Sequence, residues 1–110
     1  MTHLSGYRMT WMMILFDLPV GTKAERKRAT TFRTYLLDAG FEMVQFSVYA
    51  RFCATRELAE AQTREIERNL PKAGKVSILY FTDKQYETCR TYTGVSRQPQ
   101  AGKPAQLVLF

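Results

Sequence analysis

Asp17 is the residue of this chain best placed to do chemistry. It closes the apolar run Trp11-Met12-Met13-Ile14-Leu15-Phe16 and is followed at once by Leu18-Pro19. A run of that length, bounded by a turn signal, reads as a buried strand. A carboxylate at the end of such a strand is costly unless something pairs with it. No other acid precedes Glu25, so the first strand delivers one isolated negative charge to a sheet edge. Two uses of that charge are open. An Asp beside a proline-containing turn commonly hydrogen-bonds nearby backbone and stops the strand. The other use is a divalent cation. Magnesium takes one or two carboxylates plus waters or phosphate oxygens. A two-fold dimer would supply a second Asp17 from the symmetric chain.

Basic residues are the second chemical signal. The chain has 110 residues and a net charge of +6. Five of the eleven residues from Lys23 to Arg33 are basic, opposed only by Glu25. That excess suggests a polyanionic partner, with nucleic acid the leading candidate. Lys23, Arg26, Lys27 and Arg33 would meet phosphates, which position a nucleic acid without reading its sequence. Arg26 and Arg33 should project to solvent. Arg51 and Arg56 would extend the track, and Tyr7 and Arg8 would add to the positive edge. Ser47 either binds phosphate or satisfies a bulge. Tyr49 and Phe52 read as core before they read as base-stacking platforms. A plain solvated face is the ordinary alternative for such a helix.

Other chemistries find little support. Only His3 could serve as a histidine ligand or base, which argues against His/Cys zinc sites and His-based nucleophilic catalysis. There is no P-loop and no GxGxxG. Cys53 and Cys89 are too few for a disulfide framework and are expected as small core residues. No apolar run approaches the roughly 20 residues of a membrane span, and no secretory signal is evident. A cytoplasmic protein is the expectation.

The elements that must position Asp17 and the basic residues follow from local patterns. Thr22 and Glu25 form a T-x-x-E capping box. The helix should run to about Ala39, with Gly40 as its left-handed cap. Ala29, Phe32, Leu36 and Ala39 mark its buried stripe. Phe41 to Phe52 reads as two strands joined by a kink or bulge near Phe46-Ser47, although no Gly or Asn marks a tight turn. Thr55 caps a second helix that ends at Pro71. Its expected stripe is Ala59, Gln62, Ile66 and Leu70, with a Glu60–Arg64 pair outside. Lys75 to Thr82 reads as a strand, Asp83 to Tyr86 as a helical turn, and Thr88 to Thr93 as a short strand. The order is ferredoxin-like βαββαβ, an α+β arrangement. Residues 1–93 form that domain. Residues 94–110 are a linker and an extra C-terminal strand, whose Leu107, Val108, Leu109 and Phe110 need a sheet edge, in this chain or a partner.

Several of these segments resemble one family. Ile14-Leu15-Phe16-Asp17-Leu18-Pro19, the basic helix, Gly40-Phe41 and Val44-Gln45-Phe46-Ser47-Val48-Tyr49 look like CRISPR-associated protein two. That is the small subunit of the spacer-acquisition complex. Asn69 to Gly74, Val76 to Leu79 and Thr82 to Gln85 are similar to the version found beside the single-protein effector nuclease. The resemblance runs from about Tyr7 to the end. It implies a homodimer with facing sheets and C-terminal strands crossing to the partner. It implies that Asp17 matches the family's metal-binding aspartate, sharing Mg2+ with its symmetry mate. It implies association with the integrase subunit, CRISPR-associated protein one, and binding of a duplex DNA prespacer. Members are also assigned metal-dependent nuclease activity on RNA, including single-stranded RNA, or DNA. Ala50 stands where the family often has an acidic or similar polar residue.

Two functions follow as expectations. The first is a CRISPR adaptation protein, a DNA-binding dimer that bridges integrase subunits. The second is a metal-dependent endonuclease using Asp17 from both subunits. The residues offer no obvious general base, which favours the binding role. An unrelated regulator that binds a small ligand is a third, more distant reading.

Overall fold

The computed structural model describes residues 10–94 and the backbone of 99–100. Strand β1 (Thr10–Asp17) leads to helix α1 (Lys23–Asp38). Strands β2 (Glu42–Gln45) and β3 (Val48–Cys53) follow, then helix α2 (Arg56–Arg68) and strand β4 (Lys75–Thr82). A short helix α3 (Asp83–Glu87) leads to strands β5 (Thr91–Tyr92) and β6 (Pro99–Gln100). The first four strands form an antiparallel sheet in the order β2-β3-β1-β4. This is the ferredoxin-like α+β arrangement.

Strand alternation sorts β1 between two cores. Met12, Ile14 and Phe16 pack with Phe32 and Leu36 of α1 and Ala59 and Ile66 of α2. Each such side chain contributes about 1.5–3 kcal/mol by leaving water. Trp11 and Met13 turn to the opposite face, where α3 covers them through Tyr86. The Trp11 Nε1–H donates to Asp83 Oδ1 at 2.8 Å, tying α3 to the sheet. Both large helices thus sit on one face, and the other has only α3.

Local chemistry explains the ends of α1. Thr22 Oγ1 accepts from the Glu25 amide at 3.1 Å, and Glu25 Oε1 accepts from the Thr22 amide at 2.9 Å. At the other end Gly40 has φ +94°. The Phe41 amide donates to Leu36 O and the Gly40 amide to Leu37 O, at 3.0 and 3.1 Å. That is a Schellman closure, and Phe41 joins Leu36 in the core.

Some details differ from the sequence reading. Phe46-Ser47 forms a two-residue turn with Ser47 at φ +65°, and a separate bulge lies between Met43 and Gln45. Leu70 lies beyond α2 and is exposed, while Thr63 joins the buried stripe. Thr63 can be buried because its hydroxyl contacts Ala59 O at 2.9 Å and Tyr80 Oη at 2.7 Å. Glu60 pairs with Arg56 at 3.9 Å rather than with Arg64. Cys53 is buried as expected, but Cys89 is exposed. Pro99–Gln100, expected as linker, pairs with Thr91–Tyr92 of its own chain. Residues 106–110 lie outside the described residues. Among the described residues no helix is long and apolar enough to cross a membrane.

Candidate active site and nucleic-acid interface

Asp17 is the last residue of β1, between β3 and the edge strand β4. Its parity is that of Trp11 and Met13, so it belongs to the face without α1 and α2. Two neighbours fix its backbone. The Phe16 amide donates to Ser47 O at 3.1 Å, which anchors the end of the strand to the β2–β3 turn. On the other side, Gly74 presses against it. A Cβ added at Gly74 would lie 2.6 Å from Asp17 O, and Gly74 has φ +92°. Only glycine suits that turn.

The Asp17 side chain is exposed and makes no hydrogen bond or ion pair among the described residues. Its register partner is Lys75, but the two do not form an ion pair. The turn-capping use of this carboxylate is therefore not the one adopted. Among the described residues no group of three or more His, Cys, Asp or Glu could hold a metal. Among the described residues, one chain thus assembles no three-ligand set around Asp17. Its carboxylate fits magnesium only if a second Asp17, waters or phosphate oxygens complete the set.

Two basic residues of α1, Lys23 and Arg26, sit in the first turn, where the helix dipole penalises them. Lys23, Arg26, Lys27 and Arg28 crowd the N-terminal half, and the last turn has no basic residue. Cations at a helix N-terminus oppose its partial positive charge, at about 0.3–1 kcal/mol each in the first turn. Arg26 Nη1 offsets this by donating to Val20 O at 3.2 Å, and Arg33 Nη2 donates to Thr30 Oγ1 at 3.0 Å. Arg26 is exposed as expected, but Arg33 is half-buried. Lys23, Lys27 and Arg28 have no such partner among the described residues.

Comparison with known proteins decides the family. The family described as CRISPR associated protein Cas2 matches residues 9–89. The chain belongs to the Cas2 family. It is 55% identical over 107 residues to a CRISPR-associated endoribonuclease Cas2 of Paracidovorax avenae, covering 97% of this chain and 99% of that one. A protein of the same description from Flavobacterium psychrophilum is 46% identical over 110 residues, covering 99% and 95%. One from Parvibaculum lavamentivorans is 42% identical over 100 residues, covering 91% and 99%.

Within this Cas2-family fold the other expected site residues separate. Arg51 shares the parity of Tyr49 and Cys53 and faces the helices. Its Nη1 donates to Gln62 Oε1 on α2, and its side chain lies 3.3 Å from a Cβ placed at Gly40. It braces the helix layer rather than extending the open basic track. Arg56 is engaged by Glu60. Ser47 uses its carbonyl to hold β1. Tyr49 is buried, whereas Phe52 is 37% exposed on the opposite face. Tyr7, Arg8 and Leu107 to Phe110 lie outside the described residues.

Three features escaped the sequence reading. Phe46 is 82% exposed at the turn whose Ser47 anchors the end of β1. An aromatic residue inside a strand-to-strand break was the available signal. Arg28 and Lys72 line a groove beside α1. Arg28 shares a helix face with Ala24, Thr31 and Tyr35, a spacing legible in sequence, but Lys72 joins it only through the fold.

Proposed function

We propose that this protein is a magnesium-dependent endonuclease that hydrolyses RNA as a two-fold dimer. Its sheet faces would meet, and the two Asp17 carboxylates would share one cation. The observation that carries the reading is the exposed Asp17 carboxylate, without a partner among the described residues, on a backbone held from both sides. Apolar residues on the same face support the dimer. Leu79 and Phe52 are each 37% exposed there, and α3 covers only part of the face. The names of the relatives favour RNA as substrate.

Magnesium, when bound, would polarise the scissile phosphate and make a water more acidic. The chain's own residues hold and orient. Asp17 contributes its carboxylate from a fixed strand end. Phe46 offers an exposed ring on which a base can stack. Lys23 and Lys27 offer free charge to flanking phosphates. Among the described residues no acid-rich cluster surrounds Asp17, so an attacking water would give its proton to solvent or substrate, and turnover should be slow.

The test is cleavage of single-stranded RNA with and without Mg2+ by the protein and by Asp17→Asn. Asp17→Asn should remain folded and lose at least about 100-fold in magnesium-stimulated rate. Equal rates would reject the reading.

The unpaired cations of α1 favour a second role, binding duplex DNA through its backbone. In that role the dimer would bridge subunits of the integrase, CRISPR-associated protein one, during spacer acquisition. Salt-dependent duplex binding, together with co-purification of that integrase subunit, tests it.

A further inference from the structure

A groove of about 450 Å³ runs between α1 and the turn from α2 to β4. That volume falls in the range of small-molecule sites. Three of its lining residues are cations, Lys27, Arg28 and Lys72, and none of its lining residues is acidic. All three cations lack a hydrogen bond or ion pair among the described residues. The remaining wall is largely apolar and aromatic, formed by Phe32, Tyr35, Leu70 and Pro71. Leu70 is 46% exposed there, although its position after α2 would let it join a core.

Tyr35 adds a second, independent observation. Its hydroxyl is buried beside the Asn69 and Gln62 amides, which holds the ring in place as part of the wall. Burial first, and the Glu65 charge second, raise its pKa, so the wall stays neutral.

We infer that this groove binds a nucleoside phosphate. The phosphate sits among Lys27, Arg28 and Lys72, and the base lies against Tyr35, Leu70 and Pro71. Cationic side chains on one rim and a flat apolar wall on the other match the two halves of that ligand. The ligand could be a free nucleotide or one nucleotide of a single strand. The turn that carries Lys72 also carries Gly74, which touches Asp17. A strand anchored at Lys72 therefore starts two residues from Gly74, which borders the Asp17 backbone. The inference does not rest on Asp17 chemistry.

The experiment uses Asp17→Asn protein in EDTA, so failure of the nuclease reading leaves it untouched. Adenosine 5′-monophosphate and a fluorescent single-stranded RNA twelve-mer are each titrated, then set in competition. Arg28→Ala with Lys72→Ala, and separately Leu70→Ala, are compared with Arg64→Ala, an exposed position that does not line the groove. The paired change should weaken binding at least tenfold and Leu70→Ala several-fold, with Arg64→Ala unchanged for the mononucleotide. Displacement of the strand by mononucleotide supports a groove that holds a strand nucleotide. Mononucleotide binding without displacement supports a site for free nucleotides. Strand binding alone, lost in the groove variants, supports recognition only within a strand. If neither probe responds to the groove variants while circular dichroism shows them folded, the inference is overturned.

Discussion

The Asp17 end of the sheet and the groove beside α1 border the same turn, yet they are built in opposite ways. Among the described residues Asp17 is a carboxylate without a partner and outside any acid-rich cluster. The groove has three cations, an aromatic wall and a buried hydroxyl without leaving that chain. The first needs another molecule before it can hold a metal. The second is complete in a monomer. Chemistry at Asp17 should therefore follow the oligomeric state, while occupancy of the groove should ignore it.

The largest expected effect separates them along that line. Leu79→Asp puts a charge on the half-exposed apolar face opposite the helices. Such a charge is costly if a partner buries it and nearly free if solvent does. The variant should sediment as a monomer and lose about 100-fold in magnesium-stimulated cleavage, a change of about 2.7 kcal/mol. Mononucleotide binding should stay within twofold. A monomer that cleaves at the parental rate would end the shared-cation reading.

Gly74→Ala should come next, because it strikes the turn common to both regions. Its positive φ and the 2.6 Å approach to Asp17 O leave no room for a Cβ. Backbone strain and overpacking together should cost about 2–3 kcal/mol in chemical denaturation. Cleavage and groove binding should both fall. Loss of one alone would show that the turn does not couple them.

How far these regions were legible in sequence depends on the range of their contacts. Thr22, Glu25 and Gly40 declared α1 because caps are local chemistry written within four residues. The stripe Ala29, Phe32 and Leu36 was likewise a single period. The break at Phe46-Ser47 was legible, but not that it is a tight turn, since Ser47 adopts a positive φ without the Gly or Asn that usually announces one. Leu70 was misplaced because α2 stops at Arg68 and frees it from the helical period. Arg51 was grouped with the basic track by charge, when its parity with Tyr49 and Cys53 already placed it toward the helices. Lys72 and Arg28 stand more than forty residues apart, and no pattern in either segment joins them. The freedom of the Asp17 carboxylate was equally invisible, because a missing partner can be seen only when all neighbours are placed.

The smallest expected effect asks why α1 carries its charges at all. Lys23 is the first residue of the helix, exposed and without a partner among the described residues, where the dipole disfavours a cation. Lys23→Glu reverses that conflict and places an acid four residues before Lys27, a favourable helical pair. Stability should rise by a few tenths to about 1 kcal/mol. If Lys23 contacts a phosphate, duplex affinity should fall across all sequences, and the slope of log affinity against log salt should shrink by about one. Lys23 does not itself line the groove, but the new acid would engage Lys27, so mononucleotide affinity should fall modestly, less than in the Arg28→Ala, Lys72→Ala pair. Opposite signs for stability and duplex binding would mean that this cation is held against the helix's own preference for the sake of an anionic partner. A gain in stability with an unchanged salt slope would return Lys23 to the solvated surface and confine anion binding to the groove.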